Sequence, residues 1–80
     1  MNLRLPSVDT FRGRVWYRTI TRSSSEARDL TGGAKYPNLF LVRAADQSSV
    51  ISSGCSRSEA MQRAPENLNL SDAVLIEVTK

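Results

Sequence analysis

Eighty residues make one small domain with a thin core, because a chain this short buries only a little over half of the surface it exposes when unfolded. A hydrophobic fraction of 40% and a charged fraction of 24% lie in the globular range and exclude a disordered chain. The net charge of +3 is unevenly spread: five arginines against Asp9 alone give +4 over residues 1–22, which leaves −1 for residues 23–80.

Residues 1–12, with Leu3, Leu5, Val8 and Phe11, are expected to form an N-terminal arm or an added edge strand ahead of a single domain spanning 13–80. They lack the apolar stretch of about 7–15 residues that a secretory signal carries, and no later run approaches the ~20 apolar residues of a membrane span. The expectation is a cytoplasmic protein with no membrane partner.

From Gly13 to Arg22 the β-branched and aromatic residues Val15, Trp16, Tyr17, Thr19, Ile20 and Thr21 predict a strand. Alternation puts Val15, Tyr17, Thr19 and Thr21 on one face and Arg14, Trp16, Arg18, Ile20 and Arg22 on the other, with either face open to burial. Ser23-Ser24-Ser25-Glu26 then reads as a capping box, with Ser23 accepting from the Glu26 amide, and starts a short helix. Ala27, Leu30 and Ala34 form its light apolar stripe, and Gly32-Gly33 ends it or loosens its last turn. After Tyr36-Pro37-Asn38, the run Leu39-Phe40-Leu41-Val42-Arg43-Ala44 predicts a strand covered on at least one face. Turn residues Asp46 to Ser49 lead to a weaker strand, Val50 to Ser53, completing a hairpin.

The pattern then recurs. Ser56-Arg57-Ser58-Glu59-Ala60 repeats Ser23-Ser24-Ser25-Glu26-Ala27 at a shift of 33 residues and predicts a second capped helix. Ala60, Met61 and Ala64 make its apolar face, Pro65 interrupts or kinks it, and Ala73 to Val78 forms a last strand. The order strand, helix, strand, strand, helix, strand makes the fold class α+β. It points to a ferredoxin-like βαββαβ domain, a four-stranded antiparallel sheet with both helices on one face.

No histidine is present, so the usual general base and the commonest metal ligand are missing. The eight carboxylates are scattered, and Glu26 and Glu59 are already assigned to helix caps. Cys55 precedes a helix N-terminus beside Arg57, where a thiolate is favoured, but a lone cysteine at a strand end is more often a packing residue. Gly32-Gly33 lacks the lysine and spacing of a phosphate loop. The expectation is a protein without catalysis, cofactor or metal. The one surface that suggests binding is the arginine face of the first strand. There Arg14, Trp16, Arg18 and Arg22 would offer donors and a ring to phosphate, bases or an acidic protein groove. The bland alternative turns Trp16 and Ile20 inward with the arginine stems along the sheet.

The repeated serine, glutamate and alanine, each followed by an aliphatic strand, resembles the sporulation-related repeat (SPOR) domains over residues 13–80. That resemblance implies binding to denuded peptidoglycan glycans. RNA-recognition motifs share the element order, although Val50-Ile51-Ser52-Ser53-Gly54-Cys55 carries none of the base-stacking aromatics of that family. By type, a small domain lacking a catalytic set also resembles phage-encoded inhibitors, anti-CRISPR proteins among them. That resemblance implies a host protein or nucleoprotein complex as partner, with nucleic acid as a further possibility and either a monomer or a homodimer as the working unit.

Overall fold

The structure is a computed structural model and describes Ser7–Val8 together with residues 16–80. Its elements are β1 (Ser7–Val8), β2 (Trp16–Thr21), α1 (Ser25–Thr31), β3 (Leu39–Arg43), β4 (Val50–Gly54), α2 (Arg57–Gln62) and β5 (Ala73–Thr79). A 3-10 turn at Leu70–Asp72 leads into β5. The element order expected for the domain is thus present over residues 16–80, and Gly13, Arg14 and Val15 of the expected first strand lie outside the described residues. Of the expected N-terminal arm or edge strand, only Ser7–Val8 is described, and it pairs antiparallel with β2.

Two parts of the expected architecture are corrected. The five strands form one sheet in the order β1-β2-β5-β3-β4, and β2 runs parallel to β5, so the sheet is mixed rather than antiparallel. The helices also lie on opposite faces. Ala60 and Met61 of α2 pack with Leu39, Leu41, Ala73 and Leu75. Ala27 of α1 packs with Phe40, Val42, Val74, Ile76 and Val78.

The physical reason lies in the composition of the strands. A ferredoxin-like sheet is centred on the first and third strands of its βαββαβ order, which here would be β2 and β4, the two polar ones. Leu39 to Val42 and Ala73 to Ile76 are instead apolar at every position, and all eight residues are buried. Strands of this kind need neighbours on both edges and cover on both faces. β3 and β5 therefore pair with each other at the middle, Leu41 opposite Leu75 and Val42 opposite Val74, while β2 and β4 flank them.

The caps differ between the helices. At α2, Ser56 accepts from the Glu59 amide at 3.1 Å as expected, and Glu59 Oε1 reaches back to the Cys55 amide at 2.6 Å. At α1 the cap is Ser24 and not Ser23: its Oγ accepts from the Ala27 amide at 3.1 Å. Three consecutive serines can all cap, and the choice of Ser24 sets the helix phase that buries Ala27 and turns Glu26 toward β2. α1 ends at Gly32, where φ of 65° is the left-handed conformation that glycine adopts without strain. α2 stops at Gln62, ahead of Pro65. Between β3 and β4 the register shifts after Leu41, and the resulting bulge turns both Ile51 and Ser52 toward α2. Among the described residues no helix is long and apolar enough to cross a membrane.

Candidate functional site

The four residues singled out on the first strand separate in the structure. Arg14 lies outside the described residues. Trp16 is half-buried and packs into the α1-side core beside its register partner Val74. Arg18 stands on the same face, beside Ile76, and spans the gap to α1 as a two-pronged ion pair. Its Nη1 donates to Glu26 Oε1 at 3.2 Å, and its Nη2 donates to Glu26 Oε2. The Arg18 side chain is only 18% exposed, which makes it a brace between strand and helix rather than an open cation. Ile20 packs into the same cluster, while Tyr17, on the opposite face, joins the α2-side core. The question of which face of β2 is buried thus has two answers, because each face meets a helix.

Arg22 has a different fate. It follows the last residue of β2, where its amide donates to the Thr79 carbonyl at 2.7 Å and extends the parallel ladder. Its Nη1 donates to the Ala34 carbonyl at 3.0 Å, and the guanidinium bonds to no other described residue. Six residues of extended chain hold Arg22 about 20 Å from Trp16, so the two do not act on one ligand atom.

Around Arg22 a cleft of about 310 Å³ opens, lined by Lys35, Tyr36, Asn38, Glu77 and Lys80 among others. Its construction follows from the topology. Parallel pairing of β2 and β5 brings the carboxyl ends of both strands, Thr21-Arg22 and Thr79-Lys80, to the same edge of the sheet. The segment from α1 to β3 passes this edge and contributes Lys35, Tyr36 and Asn38, and the Val78 amide donates to the Asn38 carbonyl at 2.8 Å. Three cationic side chains therefore share the cleft with Glu77, the single carboxylate side chain among its described lining residues. Lys35 and Lys80 form no ion pair with a described residue. Tyr36 is 60% exposed, and Lys35 Nζ lies 5.8 Å from the centre of its ring. The Asn38 Oδ1 atom is buried without a hydrogen-bond donor among the described residues.

Of this cleft, the sequence pointed only to Arg22. Lys35, Tyr36 and Lys80 were missed because they reach Arg22 through the parallel strand pair, a long-range relation that leaves no local pattern. Cys55, weighed as a thiolate, is exposed, and its amide is tied to Glu59. Among the described residues no group of three or more cysteine, aspartate and glutamate side chains is arranged to hold a metal ion. No protein-family model matches the chain, and no curated protein or solved structure matches it significantly.

Proposed function

We propose that this chain is a non-catalytic binding module that occupies a surface of a larger partner, in the manner of small phage- or mobile-element-encoded inhibitors of the anti-CRISPR type. The partner in this reading is a host nucleoprotein complex in the cytoplasm. The observation that carries the proposal is the cleft at the carboxyl ends of β2 and β5, which Arg22, Lys35 and Lys80 line together with the exposed Tyr36 and, as the one carboxylate side chain among the described lining residues, Glu77. Unneutralised cations beside an exposed ring favour an acidic or phosphate-rich surface, and they steer it electrostatically before contact. A sheet covered by a helix on each face is a stiff support for such a patch, and the absence of histidine from the sequence disfavours acid-base chemistry.

Capture from host lysate tests this, with the tagged wild type compared with the Lys35→Glu, Lys80→Glu double variant. The expected result is a stoichiometric nucleoprotein complex on the wild type, reduced at least about tenfold on the charge-reversed variant, with unchanged thermal unfolding of the isolated domain. Equal capture by both proteins overturns the assignment of the surface. Retention on peptidoglycan in place of a nucleoprotein complex overturns the function in favour of glycan binding.

A further inference from the structure

The chemistry of the cleft is more specific than its charge. A carboxylate-bearing protein surface would be satisfied by Arg22 and the two lysines, and would have no use for Tyr36, the only aromatic side chain among the exposed large hydrophobics of the described residues. Exposed aromatic rings flanked by cations are the means by which single strands are held, base on ring and phosphate on cation. Asn38 also lines the cleft and adds a polar residue to its wall. The volume, about 310 Å³, is at the small end of ligand sites and suits one unit rather than a long segment. The position, outside the carboxyl ends of two parallel strands, is where open sheets with helices on both faces place their ligands.

We propose that this cleft holds one nucleotide unit of a single-stranded nucleic acid, its base stacked on Tyr36 and its flanking phosphates between Arg22, Lys35 and Lys80. The inference rests on the reading of the partner as a nucleoprotein complex and names the component that the cleft engages.

Fluorescence anisotropy of the intact chain with a short labelled oligothymidylate and its RNA counterpart, at low and at physiological salt, tests it. Binding should weaken with salt along a log–log slope of roughly −1.4 to −2, the value for two to three phosphates on a single strand. Tyr36→Ala should weaken binding about tenfold, whereas Tyr36→Phe, which keeps the ring, should bind like the wild type. Lys35→Gln with Lys80→Gln should lower both the affinity and the slope. No binding at low salt overturns the proposal, as does an unchanged affinity in Tyr36→Ala. Equal competition by polyglutamate overturns it too, because a bare polyanion site needs no base. If oligonucleotides fail while the charge-reversed variant still loses the nucleoprotein complex, this inference falls and the function stands. If no complex forms in lysate but oligonucleotides bind as described, the reverse holds.

Discussion

Tyr17 and Arg18 are neighbours on β2, yet they reach opposite helices, and the two junctions they make are built differently. Arg18 braces α1 through its ion pair with Glu26. On the other face the Arg57 guanidinium of α2 lies 4.3 Å from the centre of the Tyr17 ring. The α2 junction is the closer of the two. Ser52 donates to the Ala60 carbonyl at 2.7 Å from inside the core, and Arg63 links Glu59 at 3.1 Å to the Ser53 carbonyl at 3.2 Å. One repeated motif thus supports two designs. Glu26 leaves its helix to pair with a strand, whereas Glu59 stays and closes its own helix terminus. The difference is one residue of helix phase: the glutamate is the third residue after the cap in α2 and the second in α1. A capping motif therefore fixes where a helix starts only to within a residue when several serines compete, and tertiary pairing decides the rest.

The largest expected effect tests whether both faces are load-carrying. Leu75 and Ile76 are adjacent on β5, fully buried, and belong to the α2-side and α1-side cores respectively. Leu75→Ala and Ile76→Ala should each cost about 2–5 kcal/mol in denaturant unfolding, with Ile76→Val nearer 1 kcal/mol. A loss below about 1 kcal/mol for either alanine variant would mean that one face of the sheet is open, as a one-sided helix layer requires. The next effect separates the junctions by closeness. A Cβ at Gly54 would lie 2.9 Å from both the Ala60 amide nitrogen and Glu59 Cβ, so Gly54→Ala should cost about 1–3 kcal/mol by pushing β4 away from α2. At Gly32 nothing lies within 4 Å of an added Cβ, and the cost of Gly32→Ala is conformational, about 1 kcal/mol, from φ of 65°. Equal costs at the two glycines would remove the steric distinction.

Exchanging the two glutamates sharpens the comparison further. Glu26→Gln leaves a mostly buried guanidinium, whose Nε already lacks a partner among the described residues, without its counter-charge, and should cost about 1–2 kcal/mol. Glu59→Gln keeps an acceptor for the Cys55 amide and should cost less than about 0.5 kcal/mol. The caps follow: Ser24→Ala and Ser56→Ala should each lose about 1 kcal/mol, and Ser23→Ala only a few tenths. A larger loss at Ser23 than at Ser24 in thermal unfolding would move the start of α1 back to the position read from the sequence.

Strand and helix positions were legible because their signals are local. Gly32-Gly33 stopped α1, the capping serine and Glu59 started α2, and the runs from Leu39 and Ala73 marked β3 and β5. Strand order was not legible from those signals, since capping and alternation say nothing about which strand lies beside which. One available clue was the absence of alternation in Leu39 to Val42 and Ala73 to Ile76, which requires cover on both faces and so excludes two helices on one side. The candidate site was legible only at Arg22. Arg18 looked equally free in the sequence because its partner, Glu26, was assigned to a cap, and the same one-residue phase difference that freed Glu26 took Arg18 out of the binding surface.

The smallest expected effect concerns acid. The β3–β4 turn carries Asp46, whose carboxylate accepts from the Ser48 amide and hydroxyl at 3.1 and 2.7 Å and from the Ser49 hydroxyl at 2.8 Å. These bonds hold its pKa below the usual aspartate value, the Ser48 hydroxyl contributing most. A carboxylate whose folded pKa is depressed adds stability above its unfolded pKa and loses it as pH falls through the folded value. The contribution should therefore be complete above about pH 4 and fade below it. The group is fully exposed, so solvent screens the effect and the expected change is small. Gln47 and Ser48 of this turn line a cleft with Glu26, Asp29 and Leu30, which places the turn against the α1 side. Acid should accordingly loosen the α1 side first, read as a larger loss of amide protection, relative to intrinsic exchange at each pH, in the β3–β4 turn and α1 than in α2 when pH is lowered from 6 to about 3. Asp46→Asn should flatten that pH dependence in the turn while leaving exchange in α2 unchanged. A turn that responds to acid identically in wild type and variant would show that Asp46 is not the source of the sensitivity.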